Sequence, residues 1–571
     1  MNSRKILLQV LLESGIEDPT ASELAALQPP PGGSWTVEVL NSGKVDETKF
    51  SAELARAFQM PFVSVEPERI ERKVLGLLPS RFVFKHLLLP LAETENTVRI
   101  GTYDVFNLVA RRLAAQQLTG RSIEWVLVPR GPLLRAIKTL YGVGAETFEE
   151  ILQTARHYDS ETRETAQDLT SDNPEASVVK FVNQVIREAI QERATDIHVE
   201  PLENDLRIRY RIDGILHEVA VPGQLRVLQS AIISRLKVMA HMDIAERRLP
   251  QDGRINLNTH QGAIDVRVST IPTVNGESIS LRLLSRTESA TFGLDRLDMS
   301  ENQLKLVRAL LQHPNGIMLV TGPTGSGKST SLYCFLSSIN AVSRRIITIE
   351  EPVEYRLPGV SQIEVKSEIN LTFANGLRAI LRQDPNIVMV GEIRDFETAE
   401  IAIRAAMTGH LVFSTLHTND AVSGITRLLD MGIEPFLLAS VVRCFLAQRL
   451  VRTICTDCKE EVNYPVEYLL EIGAPIPGNS KLYRGRGCEH CRQTGYRGRM
   501  AIYEICVINE NLRRLIVRKE IGSMLKQRAI LDGMETLRQD GWRRVLLGQT
   551  TIEEVVRVTQ QDEAMSETDA S

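Results

Sequence analysis

A multidomain α/β fold is predicted by three features of this 571-residue sequence. The stretch "GPTGSGKST", residues 322–330, stands between the apolar run "GIMLV" and the helix-like "SLYCFLSSI". Three more strand-like apolar runs follow, "RIITIEEPVEY" (345–355), "NIVMVGEIRD" (386–395) and "TGHLVFSTLHTND" (408–420), each closing on acids or a histidine. Polar breaks divide the rest, and a prior of roughly 150 residues per domain gives about four domains.

From the N-terminus, "MNSRKILLQVLLESG" has its apolar part interrupted by Gln9 and Glu13 and lacks a small-residue cleavage site, so it predicts an amphipathic helix rather than a signal peptide. "LQPPPGGSW" (27–35) reads as a linker after that first helical piece. "VDETKFSAELARAFQM" has helical periodicity, "PFVSV" reads as a strand, and "LLLPLAETENTVRIGTYD" as two strands around a polar turn. From Ala145 to Ser177 the chain is polar and acidic, the composition of a mobile, partly helical linker. "VVKFVNQVIREAIQERA" then predicts a helix, "TDIHVEP" a strand, and "DLRIRYRIDGILHEV" a hairpin with an Asp-Gly turn. The acidic end "QQDEAMSETDAS" predicts disorder. Net charge is −5, which gives no global basic field and argues against a dedicated nucleic-acid binder. No run of 18 apolar residues occurs, so no bilayer span is expected and the chain reads as cytoplasmic.

Gly322, Gly327, Lys328 and Ser329 fit G-x-x-x-x-G-K-[ST], within the loop Gly322, Pro323, Thr324, Gly325, Ser326, Gly327, Lys328, Ser329 and Thr330. In such a loop the backbone N–H groups curl around a nucleotide β-phosphate and the lysine neutralises β/γ charge. The serine hydroxyl completes a magnesium shell, and the next helix turns its positive end to the anion. The competing reading, a glycine-rich turn that binds nothing, is disfavoured by the strand before it and the helix after it. Glu392 closes one later strand, where a carboxylate would face magnesium-bound water. Glu350, Glu351 and Glu354 follow another, where an acid would orient the attacking water. His417 closes the third, at the position of a γ-phosphate sensor; a purely structural histidine is the alternative.

Cys455-x-x-Cys458 and Cys488-x-x-Cys491 have the spacing of a structural zinc site, four thiolates leaving no open coordination position. Disulfides are the rival reading, disfavoured in a reducing compartment. Cys334, Cys444 and Cys506 sit among apolar residues and read as core.

Together these segments resemble the secretion ATPase family, specifically the type II secretion and type IV pilus assembly ATPases. The resemblance is carried by "GPTGSGKST", "TIEEPVEY" at the family's aspartate box, "DPNIVMVGEIRD" at its Walker B strand, "GHLVFSTLHTND" at its histidine box, and the four cysteines. Upstream, "ATDIHVEP", "RIRYRIDGIL", "RRLPQDGRI" and "VRVSTIPTVNGESISLRLL" are similar to the family's smaller domain. The resemblance implies an N-terminal α/β partner-docking region (1–144), a linker (145–177), a PAS-like arginine-bearing domain (178–290) and a RecA-like P-loop ATPase core (291–452). A zinc-binding insertion (453–505) and a C-terminal helical region (506–571) follow.

It further implies a homohexamer using ATP, Mg2+ and Zn2+, peripheral at the inner membrane through platform proteins, and no nucleic-acid partner. The motor would drive pseudopilus assembly and protein export by a type II secretion system. Pilus extension is the alternative within the family, and a nucleic-acid translocase the alternative outside it. Retraction motors are disfavoured because they generally lack the long N-terminal region and the cysteine pairs. Arg207, Arg209 and Arg211 alternate along one strand, and Arg207 or Arg211 is the expected arginine finger reaching a neighbour's site; Arg267 and Arg282 are further candidates. A solvated strand face is the competing reading. Two departures stand out. Glu351 occupies the position of the box's usual aspartate, so the water-activating role is placed on Glu350; no Arg-Leu-Gly start accompanies "TVEVLNSGKVDETKF", so binding of a cyclic dinucleotide is not expected.

Overall fold

The computed structural model describes residues 3–29, 34–94, 96–118, 120–142, 174–221, 225–259, 262–285, 292–477 and 480–559. Most of the expected linker (145–173) and the acidic end (560–571) lie outside the described residues. The chain forms two compact units, 1–257 with 265–284, and 258–264 with 285–571.

The first unit opens with helices Ser3–Glu13, Asp18–Ala26, Trp35–Asn41 and Glu47–Ala57. Ser34 and Asp46 cap the last two, accepting from the N–H groups of Thr36 and Lys49. Leu7, Leu11, Leu24, Val39, Phe50 and Leu54 are buried in one cluster, so the helices before and after residues 27–35 share one core. Strands β1 (Leu88–Glu93), β2 (Thr97–Thr102) and β3 (Ser122–Leu127) form a small sheet in which β2 pairs antiparallel with β1 and parallel with β3. The strand expected at "PFVSV" reduces to a single bridge, Phe62 with Leu127. Its partner runs out there, because β3 ends at Leu127 and Pro129 has no N–H to extend the ladder.

Helix Pro174–Gln191 covers one face of a six-stranded sheet: β4 (Asp196–Pro201), β5 (Leu206–Ile212), β6 (Ile215–Glu218), β7 (Gln251–Thr259), β8 (Gly262–Thr273) and β9 (Gly276–Ser285), in the order β6-β5-β4-β9-β8-β7. The helix starts four residues before the expected Val178. The period-two pattern buries Ile197, Val199, Ile208 and Tyr210, with the Tyr210 hydroxyl donating to the Val185 carbonyl at 2.8 Å. Asp213 and Gly214 turn β5 into β6 at φ of 48° and 87°, the positive pair that a tight hairpin demands.

In the second unit, seven strands form the main sheet: β10 (Gly316–Thr321), β11 (Ile346–Glu350), β12 (Ser361–Glu364), β13 (Ile387–Val390), β14 (Leu411–Leu416), β15 (Val442–Ile454) and β18 (Tyr496–Val507). Their order is β12-β11-β13-β14-β10-β15-β18, parallel except for β18 against β15. Continuous apolar runs build such strands because both faces are covered. Helix Lys328–Ile339 packs Leu332, Tyr333, Phe335 and Leu336 against Met318, Val320 and Phe413 on one face. Helices Phe373–Leu381 and Phe396–Met407 pack against Ile317, Leu319, Val388 and Val390 on the other. The first strand, β10, lies inside the sheet, so the loop leaving it opens at the C-terminal edge where ligands bind in such folds.

Between β15 and β18 the chain runs out into the hairpin β16 (Lys459–Val462) and β17 (Leu482–Gly485), beside the cysteines. Residues 496–505, expected in the cysteine-bearing segment, lie in β18 of the main sheet. Helix Leu537–Leu546 supplies Trp542 and Val545, and helix Ile552–Val558 supplies Ile552 and Val555, to a small core with Leu469 and Leu482 of the insertion. Glu554 anchors this end. It is 1% exposed and accepts from the Arg452 guanidinium at 2.7 Å, the Arg452 N–H at 2.9 Å and Arg557 at 2.7 Å. Burial pushes its carboxyl up, but Arg557 and Arg452 outweigh that and hold it at about 2. A depressed carboxyl stabilises the fold above its unfolded value of about 4.3, and that contribution is lost as pH falls toward 2. Glu554→Gln is therefore expected to cost on the order of 3 kcal/mol at pH 7, because it strands two guanidinium groups. The gap in thermal midpoint between the two proteins should narrow on acidification from pH 5 to pH 3.

Candidate functional site

The loop leaving β10 has the backbone its glycines permit. Gly325 and Gly327 take φ of 80° and 88°, and Gly322 takes 149°. A Cβ on Gly322 would meet the Gln448 carbonyl at 2.7 Å and Ser326 Oγ at 2.5 Å; on Gly327 it would meet Gln448 Nε2 at 2.7 Å. Only glycine fits these approaches. Lys328 begins the following helix, and its Nζ donates back to the carbonyls of Gly322 at 2.8 Å and Pro323 at 3.1 Å. Burial is the main effect lowering the Lys328 ammonium to about 8, with Glu392 acting against it and Arg449 adding to it. Among the described residues Ser326 Oγ is buried without a hydrogen-bond partner, while Pro323, Thr324, Gly325 and Ser329 are exposed. The loop is a cradle with exposed backbone at Thr324 and Gly325 and a held cation, the inventory that a phosphate chain requires.

Three strand ends place the polar groups beside it. β11, β13 and β14 are adjacent and parallel, so the residues just past their C-terminal ends converge. His417 Nε2 lies 3.0 Å from Glu392 Oε2, and Arg394 pairs with the other Glu392 oxygen and with Glu351 Oε2 at 3.0 Å. Burial raises the Glu392 carboxyl, but Arg394 and His417 outweigh it and leave the group below its ordinary value. Glu392 thus remains ionised, oriented by two partners and electrostatically coupled to Lys328.

Glu350 stands apart from this cluster. Expected from the sequence to orient the attacking water, it is 4% exposed and its carboxylate accepts from Thr348 Oγ1 at 2.6 Å, from Gln362 Nε2 at 3.0 Å and from the Tyr333 hydroxyl. Burial holds its pKa above the ordinary carboxylate range. Thr348 and Glu350 share one face of β11 by the strand's period of two, and that face lies under Tyr333 of helix Lys328–Ile339. The acid brought to Arg394 is Glu351, the residue that departs from the family's usual aspartate.

Gln448 and Arg449, which the sequence did not single out, come from β15 beside β10. Gln448 receives a hydrogen bond from Ser331 at 2.7 Å, and Arg449 donates to the Asn419 carbonyl at 2.9 Å.

Arg207 and Arg211 lie in the first unit, on the polar face of β5. Arg207 Nε pairs with Glu200 at 3.0 Å, Arg209 with the same acid at 2.5 Å, and Arg211 and Arg282 with Asp196 at 3.6 and 3.0 Å. Each is partly exposed, so each can exchange its carboxylate for another anion at modest cost.

The four cysteines do converge. Their sulfurs all lie within 4.8 Å of one another, with pairs at 3.7, 3.7 and 3.6 Å. Tetrahedral bonds of about 2.3 Å to zinc would separate the sulfurs by about 3.8 Å, whereas a disulfide needs about 2.05 Å. Backbone N–H groups of Cys488 and Gly495 point to Cys491 Sγ at 3.1 and 3.3 Å, as they would to a metal-bound thiolate. The donor set fits zinc.

The family described as "Type II/IV secretion system protein" matches residues 171–557, and the one described as "MshEN domain" matches residues 58–147. The chain is 44% identical over 531 residues to Type II secretion system protein E of Xanthomonas campestris pv. campestris, covering 91% of this chain and 92% of that protein. It is 40% identical over 531 residues to Type IV pilus assembly ATPase PilB of Myxococcus xanthus, covering 92% and 93%. Among solved structures, the Yersinia pseudotuberculosis ATPase DotB shares the fold at 20% identity and a TM-score of 0.50, over 70% of this chain and 97% of that one.

Proposed function

The chain belongs to the type II/IV secretion system protein family, and on that basis we propose that it is an ATPase motor driving pseudopilus assembly and protein export by a type II secretion system. The observation that carries the chemistry is the convergence of Lys328, Glu392, Arg394 and His417 at one edge of the β10 sheet. The ATP β- and γ-phosphates take the place of the Gly322 and Pro323 carbonyls as acceptors from Lys328. The exposed Ser329 hydroxyl and Glu392 would hold Mg2+, which supplies charge neutralisation at the phosphates. Glu392, fixed by Arg394 and His417, orients the attacking water, and His417 reports the γ-phosphate. Glu350 acts as a positioning residue that fastens the end of β11.

The greater identity to the secretion protein, 44% against 40% over alignments of 531 residues each, supports export; the match to a pilus assembly ATPase across 92% of this chain supports pilus extension as the second reading. Among the described residues no helix is long and apolar enough to cross a membrane, so membrane apposition would be through partners, with the N-terminal region docking on an inner-membrane platform. ATPase stimulation tests the function. The cytoplasmic domain of a platform protein with anionic vesicles should raise turnover, and DNA should not; salt-sensitive stimulation by DNA alone would favour a nucleic-acid translocase.

The proposed ring is a homohexamer in which Arg207 or Arg211 completes a neighbour's site. Arg207→Ala should bind ATP but turn over poorly, and mixing it with Lys328→Ala should partly restore activity at interfaces joining an intact loop to an intact arginine. Mixed oligomers without recovered turnover would leave these arginines to their ion pairs.

The cysteine cluster is proposed to hold one structural Zn2+ per chain. Metal analysis should find about one zinc. Cys455→Ser should release it and loosen the insertion between β15 and β18, since structural zinc supplies on the order of 10 kcal/mol to such modules. Protein free of zinc with four reactive thiols would contradict this.

A further inference from the structure

One buried acid outside the phosphate loop and the Glu392 cluster joins separate parts of the second unit. Glu504 lies in β18 opposite Ala447 of β15 and is 1% exposed. Its Oε1 accepts from the Ala421 N–H at 2.8 Å, and its Oε2 accepts from the Leu537 N–H at 3.2 Å. Leu537 is the first residue of helix Leu537–Leu546, and Ala421 closes the short loop that follows His417. One carboxylate therefore fastens the start of a C-terminal helix to the loop leaving β14.

The same loop is gripped at further points. The Asp420 carbonyl accepts from the hydroxyl of Thr321, the residue before Gly322, at 3.3 Å and from that of Thr418 at 3.0 Å. Arg449 holds Asn419, and Lys526 Nζ, from helix Gly522–Leu531, lies 3.5 Å from Asp420 Oδ2. Residues 418–421 are thus tied on one side to the stem of the phosphate loop and on the other to two C-terminal helices. A loop held this way cannot shift without disturbing both.

We infer that Glu504 and Lys526 are positioning residues that fix the 418–421 loop, and through it His417, against the C-terminal helices, so that the γ-phosphate side of the site is assembled by those helices. Among the described residues, neither side chain has a hydrogen bond or ion pair with residues 322–330. Their contribution lies in where His417 and Glu392 stand when the γ-phosphate is present, which affects the chemical step more than nucleotide affinity. The inference rests on the ATPase reading of the site, which Lys328→Ala tests separately.

The experiment uses the full-length protein, with steady-state ATPase kinetics and binding of a fluorescent ATP analogue. Glu504→Gln keeps one acceptor oxygen but turns an amide N–H toward the second backbone N–H. Lys526→Met keeps the aliphatic stem and removes the charge, and with a side chain 33% exposed it does not test the core. Analogue affinity and KM should stay within about twofold of the parent, while kcat falls roughly tenfold for Glu504→Gln and about threefold for Lys526→Met, the scale of one lost hydrogen bond or weak ion pair. If Glu504→Gln does not fold, Lys526→Met decides alone. Unchanged kcat in Lys526→Met, or a rise in KM with kcat intact, would overturn the inference. Substantial turnover in Lys328→Ala would instead overturn the ATPase reading itself.

Discussion

Lys328→Ala is expected to remove ATP hydrolysis while leaving the fold in place. The side chain is held inside the loop by two carbonyls of that loop, Gly322 and Pro323, and makes no other hydrogen bond among the described residues. Its loss costs the empty protein two local hydrogen bonds, each about 1 kcal/mol. For the reaction the loss is much larger, because no other cation starts the helix at the cradle. Removing one preorganised charge-stabilising donor from an active site commonly costs about 10²–10³ in rate, and here it also weakens binding of the β- and γ-phosphates. Turnover should fall by at least that factor in a coupled phosphate-release assay, with an unchanged circular dichroism spectrum and a thermal midpoint within a few degrees. A folded variant that hydrolyses ATP at near-parental rate would show that the nucleotide is not processed in this loop.

How much of this site was legible in the sequence follows from how local each feature is. The phosphate loop is a contiguous run whose glycines, lysine and serine act through their own backbone turn, so it could be read directly. Glu392 and His417 were legible because each closes an apolar run, and parallel strands bring such ends together. The choice between Glu350 and Glu351 was not. Along a strand, adjacent side chains point to opposite faces, and which face lies under Tyr333 depends on a helix packed from elsewhere. Thr348, two residues before Glu350, donates to it and marks the enclosed face, but nothing in "TIEE" says so beforehand. Gln448 and Arg449 carried no signal, because β15 reaches β10 only through the strand order of the sheet. Arg394 stood two residues from Glu392 in "GEIRD" and was the one missed partner that spacing alone offered.

The same contrast holds in the fold. The hairpin at Asp213–Gly214 and the paired cysteines announce themselves through turn chemistry and spacing, and both form. "PFVSV" has strand composition but meets a partner that ends at Leu127, so composition without a ladder gave one bridge.

Glu392→Gln should have an effect comparable to that of Lys328→Ala, for a different reason. The amide keeps the size of the carboxylate and its place beside His417 and Arg394, so ATP should still bind. The neutral group can neither accept a proton from water nor balance Arg394, and loss of a positioned base typically costs about 10²–10⁴ in rate. Glu350→Gln changes a group already occupied by three donors. One carboxylate oxygen becomes an amide nitrogen, a donor facing Tyr333 or Gln362, so it should lower the thermal midpoint and slow hydrolysis by less than about tenfold. Single-turnover hydrolysis of ATP by these two variants, with binding measured in parallel, tests most directly whether the hydrolytic centre is the Glu392–Arg394–His417 cluster. Near-parental ATP binding with a rate at least about 10²-fold lower is expected for Glu392→Gln, and a folded but less stable protein that still hydrolyses for Glu350→Gln. A Glu392→Gln protein that hydrolyses at the parental rate beside a folded, ATP-binding and inactive Glu350→Gln protein would contradict this assignment.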